Sequence, residues 1–230
     1  MKKQFKVIGF DADDTLWVNE PYFRETEEEF CQLLEGYGAC EEITRALLET
    51  ELANLPLFGY GIKGFTLSMM ETALKICNND IPPTLLKSIL ELGKSLLQKP
   101  VILLDNVEEV LKSVNNKDYQ VIIATKGDLL DQQRKLSKSG LEKYFHHIEI
   151  MSDKKEADYM RLLNHLEIAP ENFLMVGNSI KSDILPVLNI GGSAIHIPFH
   201  TTWAHEEIAV PEDTTHYHEV QQISNVLNYL

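Results

Sequence analysis

Near the N-terminus the chain reads Phe10-Asp11-Ala12-Asp13-Asp14-Thr15-Leu16, directly after the β-rich run 5–10. Two carboxylates two residues apart at a strand end cannot both be core residues, because unpaired buried charges are costly. As the chain leaves the strand, Asp11 and Asp13 can point into one crevice and supply an attacking carboxylate and a proton donor. The structural alternative is a plain turn, since Asp is a favoured turn residue.

Strands and helices alternate in the second half of the chain. Short apolar runs predict strands at 121–124, 148–151, 173–176 and 193–197. Apolar residues at helical spacing predict the intervening helices, including one from 129 to 139 that stops at Gly140. We therefore expect an α/β fold with a three-layer, Rossmann-like parallel sheet as its core.

Two further stretches read as helical. The C-terminal pattern Val220, Ile223, Leu227 and Leu230 predicts a closing amphipathic helix. Residues 17–96 contain four amphipathic patterns and no convincing strand, which indicates an inserted all-helical cap. The predicted catalytic core then comprises residues 1–16 and 97–230, with the cap at 17–96.

The predicted topology brings polar residues together. In open parallel sheets, ligands bind beyond the carboxyl ends of the strands. Asp11, Thr125 and Gly177-Asn178-Ser179 each directly follow a predicted strand. We expect them to converge on one edge of the sheet.

These segments resemble the motifs of the haloacid dehalogenase superfamily, whose first motif is Asp-x-Asp-x-Thr after an apolar strand. The later motifs follow in order as Thr125 after Ile122-Ile123-Ala124, Lys154 ahead of Glu156-Ala157-Asp158-Tyr159, and Gly177-Asn178-Ser179-Ile180-Lys181-Ser182-Asp183. The spacing to Tyr159 favours Lys154 over Lys155. The resemblance runs from about residue 5 to 200, and four motifs in order form a specific signal.

The resemblance implies roles for these residues. Asp11 would attack phosphorus and form an aspartyl phosphate, and Asp13 would act as acid and then base. Thr125 and Lys154 would bind the phosphoryl group. Mg²⁺, a hard cation that prefers oxygen ligands, would be held by the Asp11 carboxylate, the Asp13 carbonyl and the Asp183 carboxylate.

Asn178 departs from the family pattern, which usually has an acidic residue at this position. Asn keeps an acceptor oxygen but loses the charge. We therefore expect Asp183 to bind the metal directly and Asn178 to act only indirectly, beside the metal's ligands. Metal affinity is expected to be weaker as a result.

The implied activity is hydrolysis of a small phosphorylated metabolite. Asp13 argues against carbon–halogen chemistry, because a halide needs no proton to leave. The resemblance implies a cap that closes over the pocket, excludes water and selects the substrate. Two other functions stay open: a phosphotransferase or mutase that passes the phosphoryl group to an acceptor, and a receiver module phosphorylated on Asp.

The composition of the chain disfavours several classes of binding partner. The formal net charge of −14 over 230 residues disfavours nucleic acid and anionic membranes. The apolar run at 7–10 is too short for a signal-peptide core, and no run reaches the roughly 18 apolar residues of a membrane span. We therefore predict a cytoplasmic protein whose three cysteines, without metal-ligand spacing, are reduced thiols.

Two residues beside the motifs allow more than one interpretation. Lys126 follows Thr125 and could add positive charge to the phosphate pocket, although a solvated loop lysine is the simpler interpretation. Asp14 tolerates strained turn geometry better than most residues do, so we predict a turn role for it.

Overall fold

The structure, a computed structural model, describes residues 5–115, 117, 119–206, 208 and 215–230. The chain divides into two compact units. The first comprises Met1–Glu20, Val101–Lys126 and Gln133–Leu230, and the second comprises Pro21–Pro100 and Gly127–Gln132.

The first unit contains a parallel sheet with six strands among the described residues, in the order β3-β2-β1-β4-β5-β6. Its strands are β1 (Val7–Phe10), β2 (Gln120–Lys126), β3 (His147–Met151), β4 (Phe173–Gly177), β5 (Ser193–His196) and β6 (Tyr217–Glu219). This order places β1 at the centre of the sheet, flanked by β2 and β4.

Helices connect these strands. They are α5 (Val107–Asn115), α6 (Leu129–Ser139), α7 (Glu156–His165) and α8 (Leu185–Asn189), with a π-helical turn at Ile180–Ile184 and 3₁₀ turns at Glu142–Tyr144, Pro170–Asn172, Ala204–Glu206 and Ile223–Tyr229. Gly140 ends α6 at a positive φ of 69°, a conformation that glycine adopts without steric cost.

The sheet buries both faces, as alternate side chains along each strand require. On one face Ile8, Val121 and Leu174 pack with apolar side chains of α5 and of the C-terminal turn. On the other face Val7 and Ile122 pack against α7 and α8. This three-layer α/β/α arrangement confirms the predicted fold class.

The C-terminus differs from the sequence-based prediction. The predicted amphipathic helix is wrong in type, because the residues form the 3₁₀ turn Ile223–Tyr229, preceded by β6, which the sequence did not predict. Ile223 and Val226 are buried three residues apart, a spacing that suits the three residues per turn of a 3₁₀ helix. The apolar pattern correctly identified residues that pack on the core, but not their backbone.

The second unit contains α1 (Glu20–Leu33, of which all but Glu20 lie in this unit), α2 (Cys40–Phe58), α3 (Ile62–Ile76) and α4 (Pro83–Gln98). Residues 18–98 are all described and contain no strand. The unit has its own apolar core, which includes Phe30, Leu47 and Met69. Across the part of the chain that the structure describes, no helix has the length and apolar character needed to cross a membrane.

Candidate functional site

The candidate site lies where three neighbouring strands end. The Asp11 N–H donates to the Val176 carbonyl at 2.9 Å, which extends the β1–β4 ladder by one residue. Thr125 is buried near the end of β2 and pairs in register with Ile150. Asn178 directly follows β4. The parallel topology thus brings the expected residues to one edge of the sheet.

Lys154 joins two of the predicted acidic residues. Its ammonium donates to Asp11 Oδ1 in a very short hydrogen bond, and to Asp183 Oδ1 at 2.6 Å. The Lys154 side chain is 1% exposed, and both carboxylates are buried. Asp11, Lys154 and Asp183, which we call the buried triad, are therefore in direct contact although 172 residues separate the outer two.

Burial and the neighbouring charges shift the pKa values of Asp11 and Lys154. Burial raises the pKa of Asp11 to about 7, with Lys154 opposing this and Asp183 adding to it. Burial acts to lower the pKa of Lys154, but the Asp11 and Asp183 carboxylates outweigh it and raise that pKa above its usual range. One ammonium thus faces two buried carboxylates, an arrangement that a further positive charge would stabilise.

The two adjacent lysines have different environments. The Lys154 side chain is buried and belongs to the buried triad. The Lys155 side chain is 73% exposed and pairs with Asp153 at 2.8 Å. Lys155 is the N-cap residue of α7, and its N–H donates to Asp158 Oδ2 at 3.1 Å. The start of the helix therefore fixes which lysine faces the strand ends.

The loop after β4 holds Asp183 through close packing and hydrogen bonds. The Ser179 N–H donates to Asp183 Oδ2 at 3.0 Å. A Cβ on Gly177 would lie 2.2 Å from the same oxygen, so a side chain there would displace Asp183. Tyr159 Oη donates to the Ser182 carbonyl at 3.0 Å. With Lys154 on Oδ1 and Ser179 on Oδ2, each oxygen of Asp183 accepts a hydrogen bond.

The Asn178 amide faces the oxygens of the first motif. One of its terminal atoms lies 3.2 Å from the Asp13 carbonyl oxygen, 3.2 Å from Thr15 Oγ1 and 3.3 Å from Asp11 Oδ2. With the amide nitrogen in that position, Asn178 donates to these oxygens. With the amide oxygen there, Thr15 Oγ1 donates to it at 3.2 Å and it faces the acceptor oxygens of Asp13 and Asp11, an arrangement that a cation among them would stabilise.

The Asp13 side chain is held by residues that the sequence did not single out for this role. Trp17 Nε1 donates to Asp13 Oδ1 at 2.6 Å. Lys135 Nζ donates to Asp13 Oδ1 at 2.6 Å and to Oδ2 at 2.8 Å. Lys135 lies on α6, 122 residues from Asp13, and no local motif marked it. Only its place on the helix after β2 could have suggested it.

Asp14 has the predicted turn role. Its φ is 60°, in the left-handed region, and its carboxylate accepts from the N–H groups of Asn19 and Glu20 at 2.8 and 2.9 Å. Burial raises the pKa of Asp14 to about 8, and the backbone N–H of Asn19 opposes this. Asp14 therefore shapes the loop that carries Asp13.

Lys126 is not a solvated loop residue, contrary to the simpler interpretation. It donates to Glu206 Oε1 at 2.5 Å and to Ser182 Oγ at 2.8 Å. Glu206 is buried and also accepts from Ser179 Oγ and Ser182 Oγ at 2.5 and 2.6 Å. Burial would raise the pKa of Glu206, but Lys126 and the two hydroxyls lower it to about 2. No sequence pattern singled out Glu206, which lies after β5.

This chain is similar to known proteins in both sequence and structure. A model of the haloacid dehalogenase-like hydrolases matches residues 5–191. N-acylneuraminate-9-phosphatase of Mus musculus is 28% identical over 125 residues, which cover 52% of this chain and 48% of that protein. Glyceraldehyde 3-phosphate phosphatase of Methanothermobacter thermautotrophicus is 27% identical over 130 residues, which cover 53% and 57%. The matched part thus spans about half the length of these curated relatives.

A solved structure matches over nearly the whole chain. The haloacid dehalogenase-like family hydrolase from Xanthomonas campestris has 37% sequence identity and a TM-score of 0.87, covering 99% of this chain and 96% of that one. The family match takes in well over half of the residues and includes all four motifs. The chain belongs to the haloacid dehalogenase-like hydrolase family.

Proposed function

We propose that the protein is a Mg²⁺-dependent phosphohydrolase that cleaves small phosphate monoesters through an aspartyl phosphate on Asp11. The observation that carries the proposal is the buried triad at the carboxyl end of β1. A carboxylate approaching a phosphate dianion meets strong repulsion, and a fixed ammonium beside it reduces that repulsion. The phosphatase relatives support the same reaction class.

In the first step, an Asp11 carboxylate oxygen bonds to phosphorus while the bond from phosphorus to the ester oxygen breaks. Lys154 neutralises charge on the transferring group, and Thr125 together with backbone N–H groups near the strand ends binds its oxygens. These groups occupy fixed positions before the substrate arrives, so little reorganisation is needed during transfer. Lys126 adds positive charge one residue beyond Thr125, although Glu206 offsets it.

Asp13 acts in both steps of the proposed mechanism. It gives a proton to the leaving ester oxygen, so the alcohol departs neutral. It then takes a proton from the water that attacks the aspartyl phosphate, which releases inorganic phosphate and restores Asp11. Such acid–base assistance contributes typically about 10²- to 10⁴-fold to the rate.

The residues present fit a hard divalent cation. One terminal atom of the Asn178 amide lies 3.3 Å from Asp11 Oδ2 and 3.2 Å from the Asp13 carbonyl oxygen, and oxygen ligands are what Mg²⁺ prefers. Among the described residues no three Asp, Glu, His or Cys side chains form a metal cluster, so these ligands would include a carbonyl and an amide. The bound ion would supply positive charge for the transferring phosphoryl group.

This geometry favours a ligand set that differs from the sequence-based expectation. Asp183 accepts from Lys154 and from the Ser179 N–H, which suits a residue that orients Lys154. Asn178 faces Asp11 and Asp13 directly. We therefore propose Asn178 as the direct ligand and Asp183 as the residue that positions the ammonium. Loss of Mg²⁺-induced thermal stabilisation in Asn178→Ala, with its retention in Asp183→Asn, would support this assignment.

The proposed substrate is a small phosphorylated metabolite. Both curated relatives are phosphatases named for compounds of this kind, a phosphorylated acylneuraminate and glyceraldehyde 3-phosphate. The net charge of −14 makes phosphorylated nucleic acids poor substrates, because the surface repels polyanions.

The test is phosphate release from a panel of sugar phosphates and three-carbon phosphates, with Mg²⁺ and with a chelator. We expect turnover that requires the cation and falls at least about 10³-fold in Asp11→Asn, because the nucleophile is lost. Acid-quenched enzyme should carry a phosphoryl group on Asp11. Undiminished turnover in Asp11→Asn would rule out the covalent mechanism, and transfer to an added acceptor in place of water would indicate a phosphotransferase.

A further inference from the structure

We propose that Lys135 is a positioning residue that acts through Asp13 and sets the orientation in which Asp13 gives its proton to the leaving group. The inference rests on the proposed phosphohydrolase function and adds a residue that none of the four motifs contains. Its basis is the two-point contact between the Lys135 ammonium and the Asp13 carboxylate.

The contact fixes both oxygens of Asp13. Lys135 Nζ lies 2.6 Å from Oδ1 and 2.8 Å from Oδ2, so the carboxylate plane is held by one cation at two points. Trp17 Nε1 approaches Oδ1 at 2.6 Å. The same ammonium donates to Asn19 Oδ1 at 3.1 Å, which ties it to the loop that carries Asp13. Rotation of the Asp13 side chain would break several of these bonds together.

Helix α6 also holds the backbone of Lys135 in place. The next residue on α6, Leu136, is buried in the core of the first unit. The Lys135 side chain is only 15% exposed and that of Asp13 is 22% exposed, so solvent screens the pair less than it would a surface pair. An ion pair on a packed helix is a suitable device for holding a catalytic carboxylate, because small misplacements of a reacting group cost large factors in rate.

A simpler role would be neutralisation of a half-buried charge, with no effect on proton transfer. The two roles differ in how they depend on the leaving group. An alkyl phosphate needs a proton on its departing oxygen, whereas p-nitrophenyl phosphate releases a stable anion without one. A residue that acts through Asp13 must therefore matter more for the alkyl ester, and a general electrostatic or structural residue must matter equally for both.

The experiment compares kcat/KM for glycerol phosphate and p-nitrophenyl phosphate in wild type, Lys135→Met, Lys135→Arg and the control Lys138→Met. Lys138 is an exposed lysine one turn further along α6. We expect Lys135→Met to lower kcat/KM about 30-fold for the alkyl ester and less than about threefold for the aryl ester. Lys135→Arg should recover most of the loss, and Lys138→Met should match wild type.

The double variant Asp13→Asn/Lys135→Met completes the test. If Lys135 acts through Asp13, it loses no more activity on the alkyl ester than Asp13→Asn alone, because the two changes remove one function. Equal losses on both esters in Lys135→Met, or losses that multiply in the double variant, would overturn the role of Lys135 alone. Absence of phosphate release from wild-type enzyme would overturn the proposed function, and this inference with it.

Discussion

The two units bury polar side chains in different ways. At the strand ends of the first unit the buried polar groups include ion pairs: Asp11, Lys154 and Asp183 contact one another, and Glu206 binds Lys126. Within residues 21–100 of the helical unit the buried polar side chains are neutral: they are Thr26, Thr50, Asn54, Ser68 and Thr72. Thr26 and Thr50 donate to backbone carbonyls one turn earlier, at 2.8 Å each.

The difference separates structural from functional burial. A hydroxyl that donates to its own helix is satisfied locally and needs no distant partner. A buried charge is costly and persists only with partners, which here come from distant parts of the chain. Ion pairs between buried side chains from distant parts of the chain therefore identify the candidate site at the strand ends.

Replacing Lys154 should have the largest effect. Lys154→Met removes the ammonium between Asp11 and Asp183 and leaves two buried carboxylates facing each other. We expect the free energy of unfolding in urea, without divalent cations, to fall by about 3–5 kcal/mol at pH 7.5. The neighbouring exposed residue provides the control, and Lys155→Met should unfold like wild type. A loss in Lys154→Met no larger than in the control would contradict the importance of the triad.

Glu206 should make stability depend on pH. Its folded pKa is about 2 and its ordinary value is 4.5, so its stabilising contribution is fully present above about pH 5 and is lost as pH falls towards 2. The shift corresponds to about 3 kcal/mol. Wild type should therefore exceed Glu206→Gln in unfolding free energy at pH 7, with the difference shrinking between pH 5 and 2. A difference that stays constant with pH, or one equally large in the exposed-site control Glu142→Gln, would refute this.

Asn178→Asp tests the oxygens around the proposed metal position. A carboxylate there would face Asp11 Oδ2 and the Asp13 carbonyl without the N–H donors that the amide supplies. We expect the metal-free variant to lose about 2 kcal/mol of unfolding free energy, with added Mg²⁺ restoring more stability than it gives wild type. Thermal unfolding with chelator and across a Mg²⁺ titration measures both effects. Equal Mg²⁺ responses in the two proteins would argue against Asn178 as a ligand.

Substitutions of two buried threonines in the helical unit should change the free energy of unfolding least, and in opposite directions. Thr72 Oγ1 is buried and has no hydrogen-bond partner among the residues that the structure describes. Thr72→Val should therefore raise the free energy of unfolding by about 1 kcal/mol. Thr50 Oγ1 donates to Ala46 and accepts from Lys75 at 3.2 Å, so Thr50→Val should lower it by about 1 kcal/mol. Neither variant should change phosphate release, and destabilisation by both would show that Thr72 has a partner.

Local sequence patterns were most informative where the physical signal is itself local. Short apolar runs predicted five of the strands, because strands buried on both faces require continuous apolar segments. The helical spacing of apolar residues predicted the helix 129–139. The topology rule then predicted that Asp11, Thr125 and Asn178, which each follow a predicted strand, converge on one edge of the sheet. The spacing around Tyr159 selected Lys154 over its neighbour, in agreement with their different burial.

The same patterns failed where the deciding contacts are long-range. β6 is only three residues long and pairs at the edge of the sheet, so its sequence carries little periodicity. Lys135 and Glu206 look like ordinary surface residues in the sequence. Their roles depend on Asp13, 122 residues away, and on Lys126, 80 residues away.

The α/β class, the order of the motifs and the residue types available for phosphoryl chemistry can be read from short segments, because the spacing of apolar residues and the carboxylates at strand ends are local properties. Which polar groups meet depends on the fold: Lys154 contacts Asp11 and Asp183, Lys135 contacts Asp13, and Asn178 faces the oxygens of the first motif. Coulomb and hydrogen-bond energies depend on distances of a few ångströms, and folding sets those distances between residues that are far apart in the chain.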